Sequence, residues 1–286
     1  MDNIDKPCIA VLGATSLVGE CLLPLLLDTD AKVIAFSRRT PLNATCANEW
    51  RKPGDIVAAN FLICLAPIWV LIESLAWVEK LGVKKIIVLS STSRFTKQDS
   101  SIDLEQILAQ RLAEGERQCQ VWAKQQDIDW VILRPTLIYG LGKDKNISEI
   151  TRIIIRFGFF PLLGQASGLR QPVHAEDIAA ACLAALNREN STNHAYNLSG
   201  DEILSYQEMV IRLFRALGKN PRLIHVPLWM FKVVLVFVRI LPRYKHWSSA
   251  MAERMNQDLV FDHSDAERDL GFKPRAFHLE ARDLPK

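Results

Sequence analysis

Cys8-Ile9-Ala10-Val11-Leu12-Gly13-Ala14-Thr15-Ser16-Leu17-Val18-Gly19 decides how this chain is read. Five mostly apolar residues suit a buried strand. A turn of glycine and small residues follows, and an apolar helix pattern resumes at Leu17. Such a turn lets the backbone come close to a pyrophosphate. The helix start, at Leu17 and Val18, then offers unbonded N–H groups and the positive end of its dipole. The spacing Gly13-x-x-Ser16-x-x-Gly19 puts serine where a middle glycine usually stands. Serine is small and can donate to phosphate, so the turn predicts a dinucleotide site.

The next strand, Lys32-Val33-Ile34-Ala35-Phe36, runs into Ser37-Arg38-Arg39. An acidic residue at its end would take the adenosine ribose hydroxyls. Ser37 stands there instead, and Arg38 can meet a 2′-phosphate with a charge-assisted bond. This favours NADP(H) over NAD. Further apolar strand runs at 61–65, 85–89 and 130–133 alternate with helix patterns at 17–27, 69–81 and 104–125. Pro24 is expected to bend the first helix. Short apolar strands separated by helices predict a doubly wound parallel α/β sheet covered on both faces. Residues 39–60 are too few for a full crossover unit, so an element there is shortened or lost.

The second half is less regular. Helix patterns occupy 149–157 and 176–186, and 195–198 is a short strand. Ser205-x-x-Glu208 reads as a capping box opening a helix, and Ser264-x-x-Glu267 repeats it. No repeat or linker separates the halves. Residues 1–140 are therefore expected to bind NADP, and residues 141–286 to form a smaller α/β substrate lobe interleaved with them in one compact unit. The ligand cleft should lie between the two, at the carboxyl ends of the strands.

Composition narrows the class. The 286 residues are 49% hydrophobic and 23% charged, which argues against disorder, and a net charge of +3 is too small for a nucleic-acid binder. The six cysteines are single and the six histidines isolated, so no metal site is expected and a reducing cytoplasm fits. The start, Met1-Asp2-Asn3-Ile4-Asp5, lacks the basic and apolar parts of a secretory signal. Residues 226–242 are very apolar but carry Lys232 and Arg239, so a buried helix with one wet edge is expected over a membrane-surface helix.

Further motifs stand in order: Ser90-Ser91-Thr92, Leu133-Arg134-Pro135-Thr136-Leu137-Ile138-Tyr139-Gly140, Pro172-Val173-His174-Ala175-Glu176-Asp177 and Asp269-Leu270-Gly271-Phe272-Lys273-Pro274. With the opening turn they resemble the extended short-chain dehydrogenase/reductase superfamily, of the NAD-dependent epimerase/dehydratase type, over nearly the whole chain. The resemblance implies a Rossmann-type fold. It implies that Gly13, Thr15, Ser16 and Gly19 hold the pyrophosphate, Arg38 the 2′-phosphate, and Leu65-Ala66-Pro67 the adenosine ribose. Ser90 and Pro135 would lie by the cofactor, with Pro135 near the nicotinamide. Thr92 falls at the family's catalytic Ser/Thr position, Arg170 and His174 would border the substrate, and Tyr139 would be structural. For His174, fixing its loop to the lobe is an equal reading.

One departure matters. The family's Tyr-x-x-x-Lys pair belongs on the long helix, where this chain has Ile107-Leu108-Ala109-Gln110-Arg111, and its first tyrosine is Tyr139. Isoleucine moves no proton. Arg111 could hold a ribose, but its high pKa makes it a poor shuttle. Glu114 and Glu116 could be surface residues or face the cleft. Two function classes stay open: an NADP-dependent oxidoreductase or epimerase acting on a small polar or sugar-nucleotide substrate with Thr92 at its centre, and a non-catalytic NADP(H)-binding sensor or assembly subunit. The atypical members that the chain resembles include both kinds.

Overall fold

The computed structural model describes residues 6–38, 47–100, 102–188, 191–227, 230 and 254–285. The first half runs β1 (Cys8–Leu12), α1 (Leu17–Leu27), β2 (Lys32–Phe36), β3 (Glu49–Arg51), β4 (Phe61–Cys64), α2 (Ile68–Ile72), α3 (Leu75–Leu81), β5 (Lys85–Leu89), α4 (Ser93–Thr96), α5 (Asp103–Gln125) and β6 (Asp129–Pro135). The second continues through β7 (Ile138–Tyr139), α6 (Ile147–Phe157), β8 (Phe160–Leu163), β9 (Leu169–Arg170), β10 (Val173–His174) and α7 (Ala175–Asn187). It ends with β11 (His194–Leu198), β12 (Leu204–Ser205), α8 (Tyr206–Ala216), β13 (Leu223–Val226), α9 (Ser264–Leu270) and a 3-10 turn, Ala281–Asp283.

Seven strands form one sheet in the order β11-β6-β5-β4-β1-β2-β3, and every pairing in it is parallel. This is the expected Rossmann-type sheet. Its strands are apolar throughout because both faces are covered. Ile9, Val11, Ile63, Ile87 and Val131 point to the layer of α1 and α7. Ala10, Leu12, Leu62, Cys64, Ile86, Val88 and Ile132 point to the layer of α2, α3 and α5. That alternation is the period-two geometry of a strand applied to two hydrophobic layers. β11 and α7 come from the second half, so the chain beyond residue 140 feeds the large sheet as well as the lobe. A third core, with Tyr139, Ile150, Ile154, Leu162, Met209, Leu213 and Phe214, fills the lobe.

Local chemistry explains where elements depart from the sequence pattern. The helix expected over 69–81 is two helices, because the Ser74 hydroxyl donates to the Val70 carbonyl (2.8 Å) and stops the first one there. α1 runs through Pro24, which lies on its exposed side, where the carbonyl it frees can meet water. Ser205 caps α8 as expected, accepting from the Glu208 N–H. The second box does not form. Ser264 is already helical, and Asp262 takes its N–H and its hydroxyl instead. Among the described residues, the short stretch after β2 yields the three-residue edge strand β3. Most of the apolar run 226–242 lies outside the described residues. Among the described residues no helix is long and apolar enough to cross a membrane.

Candidate active-site cleft

The strand order reverses between β1 and β4, and in open parallel sheets ligands bind in the crevice beyond such a switch point. A cleft of about 700 Å³ opens there. One side is the start of α1 (Ser16, Leu17, Val18) with Leu65. The floor is Leu89, Ser91 and Thr92, and the far wall is Arg170, Gln171, Tyr206, Arg254, Met255 and Phe261.

The turn is built for close approach. Gly13 has φ +81°, and a Cβ there would stand 2.6 Å from the Ala66 nitrogen. A Cβ on Gly19 would stand 2.2 Å from the Ala14 carbonyl oxygen. Both positions therefore require glycine, and they bring β1, α1 and the Leu65–Ala66 backbone to one point. Ser16 caps α1: its Oγ accepts from the Gly19 N–H (3.1 Å), which leaves its own hydrogen free to donate outward. The N–H groups of Leu17 and Val18 have no carbonyl partner within the helix. The fit to a pyrophosphate rests on these donors. Thr15 Oγ1 lies 3.5 Å from Ser37 Oγ, so the ends of β1 and β2 meet beside the exposed Arg38.

Thr92 lines the cleft and is 5% exposed. Its hydroxyl donates to the Pro135 carbonyl (3.2 Å), which also takes the Thr92 N–H. The threonine oxygen can accept from a ligand, but its proton is committed. Pro135 itself acts as the anchor for Thr92 and is not among the residues lining the cleft. Ser90, expected at the cofactor, turns away: its Oγ donates to Glu116 (2.5 Å).

That glutamate is neither a surface residue nor a cleft residue. Glu116 is 1% exposed and takes bonds from Ser90, Arg94 and Arg134, the last through Nη2 at 2.6 Å. Glu114 is at the surface, where the Arg117 guanidinium and the Gln118 amide hold its carboxyl down at about 2. Arg111 packs over the Trp69 ring (4.5 Å) and lies 3.9 Å from Glu73, so it braces α5 against α2. Among the described residues, none from α5 lines the cleft.

Of the two readings of His174, bordering the substrate or fixing its loop to the lobe, its surroundings fit the second. It is 1% exposed and absent from the cleft lining. Its Nδ1 accepts from the Glu176 N–H as the cap of α7, so Nε2 carries the proton and donates to Asp283 (3.1 Å). Its ring meets Tyr139 edge-on. Tyr139 is buried and donates to the His278 carbonyl, as a structural residue would. Burial would raise the Asp283 carboxyl. The His174 bond and the N–H groups of Glu280 and Leu141 outweigh that and hold it at about 2.

Arg170 does reach the cleft, but its guanidinium is turned into the wall. It donates to the carbonyls of Leu169 and Gln257 (both 2.7 Å) and to that of Arg254. Burial pulls it down to about 10. It thus staples the 254–261 strip in place, helped by Gln171, whose Oε1 takes the Phe261 N–H.

The residues the sequence did not single out are the wall and the mouth. Tyr206 is the only tyrosine lining the cleft among the described residues, and burial pushes its hydroxyl up to about 12. In the sequence it read only as the second residue of a capping box. Lys97 pairs with Glu105 (3.5 Å), Lys143 with Glu20 (2.6 Å) and Arg254 with Glu105. Lys145 has no ion pair among the described residues. Asp144, beside them, spends its oxygens on the Asn146 and Ser148 N–H groups and the Ser148 hydroxyl. The mouth is therefore cationic. Among the described residues no group of His, Cys, Asp and Glu is arranged to hold a metal ion.

Comparison with known proteins agrees with this architecture. The chain is 27% identical over 238 residues to NAD(P)H azoreductase of Xenophilus azovorans, covering 77% of each. It is 26% identical over 162 residues to UDP-glucose 4-epimerase of Vibrio cholerae, 57% of this chain and 47% of that one. The chain spans about half or less of the length of the first curated relatives it matches. The structure of UDP-glucuronic acid 4-epimerase from Bacillus cereus, in complex with UDP-glucuronic acid and NAD, superposes with a TM-score of 0.72 over 94% of this chain and 95% of that one. At 17% identity that likeness concerns the fold alone. The family model matched covers residues 43–199, more than half of the chain but beginning after the glycine turn, so the turn's reading stands on its own geometry. With that match and the parallel sheet in hand, the chain belongs to the NAD-dependent epimerase/dehydratase family.

Proposed function

We propose that the cleft binds NADP(H) and carries out oxidoreductase or epimerase chemistry on a small polar or sugar-nucleotide substrate. The observation that carries this is the juxtaposition at the switch point: a helix start with free donors on one side and, on the other, the lobe with Lys145 at the cleft mouth. In this reading residues 1–140 chiefly hold the dinucleotide, and the remainder frames the substrate. Gly13 and Gly19 let the backbone approach, while Ser16, Leu17 and Val18 donate to the pyrophosphate. Thr15 stays with the pyrophosphate, Ser37 and Arg38 take the adenosine end, with Arg38 on the 2′-phosphate, and Leu65-Ala66-Pro67 flank the ribose.

When bound, the nicotinamide supplies or accepts the hydride. The chain must supply a proton when the substrate takes the hydride and accept one when the substrate gives it up. Thr92 accepts a hydrogen bond and orients the reacting group. Tyr206 is the hydroxyl the wall offers as donor, a weak acid because burial raises it. Lys145 and the neighbouring cations suit a phosphate-bearing substrate. The reading is tested by titrating NADPH and NADH against tryptophan fluorescence, then following NADPH absorbance in single turnovers over a panel of sugar nucleotides and small carbonyl compounds. Equal affinity for the two cofactors overturns the NADP assignment. Firm binding with neither NADPH absorbance loss nor, with NADP+ bound, interconversion of epimers on any substrate overturns the enzymatic one.

A further inference from the structure

Away from the cleft, four large apolar side chains stand in solvent on one flank of the lobe. Ile155 is 46% exposed, Phe157 53%, Phe159 37% and Ile224 48%. They are connected. The rings of Phe157 and Phe159 lie 6.2 Å apart. β13 pairs with β8 in a register that sets Ile224 beside Pro161, and the Phe160 N–H donates to the Arg222 carbonyl. In β8, Phe160 is buried, so Phe159 and Pro161 lie on the outer side of that strand. Single exposed apolar residues are ordinary, but two adjacent exposed rings beside further exposed apolar side chains suit a contact surface.

The charges around it are of one sign. Arg156 lies over the Phe157 ring (5.2 Å). Arg156, Lys219 and Arg222 have no carboxylate partner among the described residues, whereas Arg152 is 3.8 Å from Glu149. The sequence repeats the bias: from Met209 to Ala252 it contains no Asp or Glu, yet it carries Arg212, Arg215, Lys219, Arg222, Lys232, Arg239, Arg243 and Lys245. Exposed aromatic and aliphatic side chains beside unpaired basic residues fit one partner chemistry well. An anionic lipid surface takes the apolar groups at its acyl boundary and the cations at its headgroups.

We propose that the flank formed by Ile155, Phe157, Phe159 and Ile224, with Arg156, Lys219 and Arg222, docks reversibly on an anionic membrane surface. The contact is peripheral and lies outside the cofactor cleft, so it does not depend on the cofactor reading. The test is co-sedimentation of the full chain with phosphatidylglycerol vesicles and with phosphatidylcholine vesicles, with NADPH titration of each variant as an independent check of the fold.

Sedimentation with the anionic vesicles only, weakened by salt and reduced more than tenfold in Phe157→Asp/Phe159→Asp, supports the proposal. If that variant does not fold, Arg156→Gln and Arg222→Gln carry the same test, each expected to weaken binding about fivefold. Absence of sedimentation overturns the proposal, as does equal binding to both lipids or binding that no substitution changes. A dimer in solution that the Phe157/Phe159 variant dissociates would assign the flank to a second copy of the chain and overturn it too.

Discussion

Replacing Glu116 by alanine should destabilise the protein strongly and leave its cofactor selectivity alone. The carboxylate is 1% exposed and lies between two guanidiniums, Arg94 and Arg134, whose side chains are 23% and 15% exposed. Removing it leaves two positive groups facing one another where β5 and β6 end, and the Ser90 hydroxyl without its acceptor. Breaking a buried pair from one side costs ~3–5 kcal/mol. Partial access of water to both arginines places this case at the lower end, about 3 kcal/mol. With a urea slope of ~3 kcal/mol/M, the midpoint should fall by about 1 M.

Glu116→Gln keeps the shape and one acceptor, and should lose roughly half as much. Glu116→Met with Arg94→Met should recover part of the loss, because an apolar replacement removes the orphaned charge as well. Urea unfolding followed by tryptophan fluorescence measures all of these. A midpoint shift under 0.2 M for Glu116→Ala, about 0.6 kcal/mol at that slope, would refute the reasoning. An unchanged midpoint with abolished turnover would place Glu116 in the chemistry instead.

Four further outcomes are expected. Arg38→Ala should erase most of the preference for NADPH over NADH, a loss of ~1.5–3 kcal/mol for one charged phosphate contact, read by fluorescence titration. Tyr206→Phe should slow single-turnover NADPH consumption while cofactor affinity stays within about twofold, and Thr92→Val should lower the rate in the same way. Gly19→Ala should weaken binding of both cofactors and lower stability, since its Cβ would meet the Ala14 carbonyl at 2.2 Å. For Asp283, a folded carboxyl held at about 2 against ~3.9 unfolded means that its stabilisation is full above about pH 4 and is lost as pH falls toward 2. Asp283→Asn should therefore flatten stability across that window, as measured by urea midpoints at stepped pH.

The sheet was legible in the sequence because each of its strands and covering helices is local. Cys8–Leu12 and Lys85–Leu89 announce buried parallel strands by being apolar on both alternations, and the Gly13 and Gly19 positions carry a backbone demand that few other residues meet. The candidate site was legible only on that side. Ser90, Glu116 and Arg134 stand apart in the sequence, and nothing in their spacing says that the hydroxyl turns from the cofactor toward a carboxylate on α5. His174 and Asp283 are joined by the fold alone, so the sequence leaves this histidine open between a ligand-facing group and a loop anchor, and the fold makes it a helix cap. Arg170 reads as a free cation until three carbonyls of the 254–257 strip and its own strand are seen to occupy it.

The same logic explains why Tyr206 was missed and why it matters. The sequence lacks a tyrosine on α5, and the residue it offers in its place, Thr92, follows β5 rather than lying in the lobe. None of the described residues of α5 lines the cleft, so replacing Ile107 or Arg111 with a proton-bearing group would not by itself restore chemistry there. The phenol that does line it enters at the start of α8, in the lobe. In the proposed reading the dinucleotide stays on the sheet and the lobe supplies the acid. Ile107→Tyr/Arg111→Lys should accordingly leave single-turnover rates unchanged, while Tyr206→Phe lowers them. A rate gain from the helix pair would place the reacting atoms at α5 and remove Tyr206 from the mechanism.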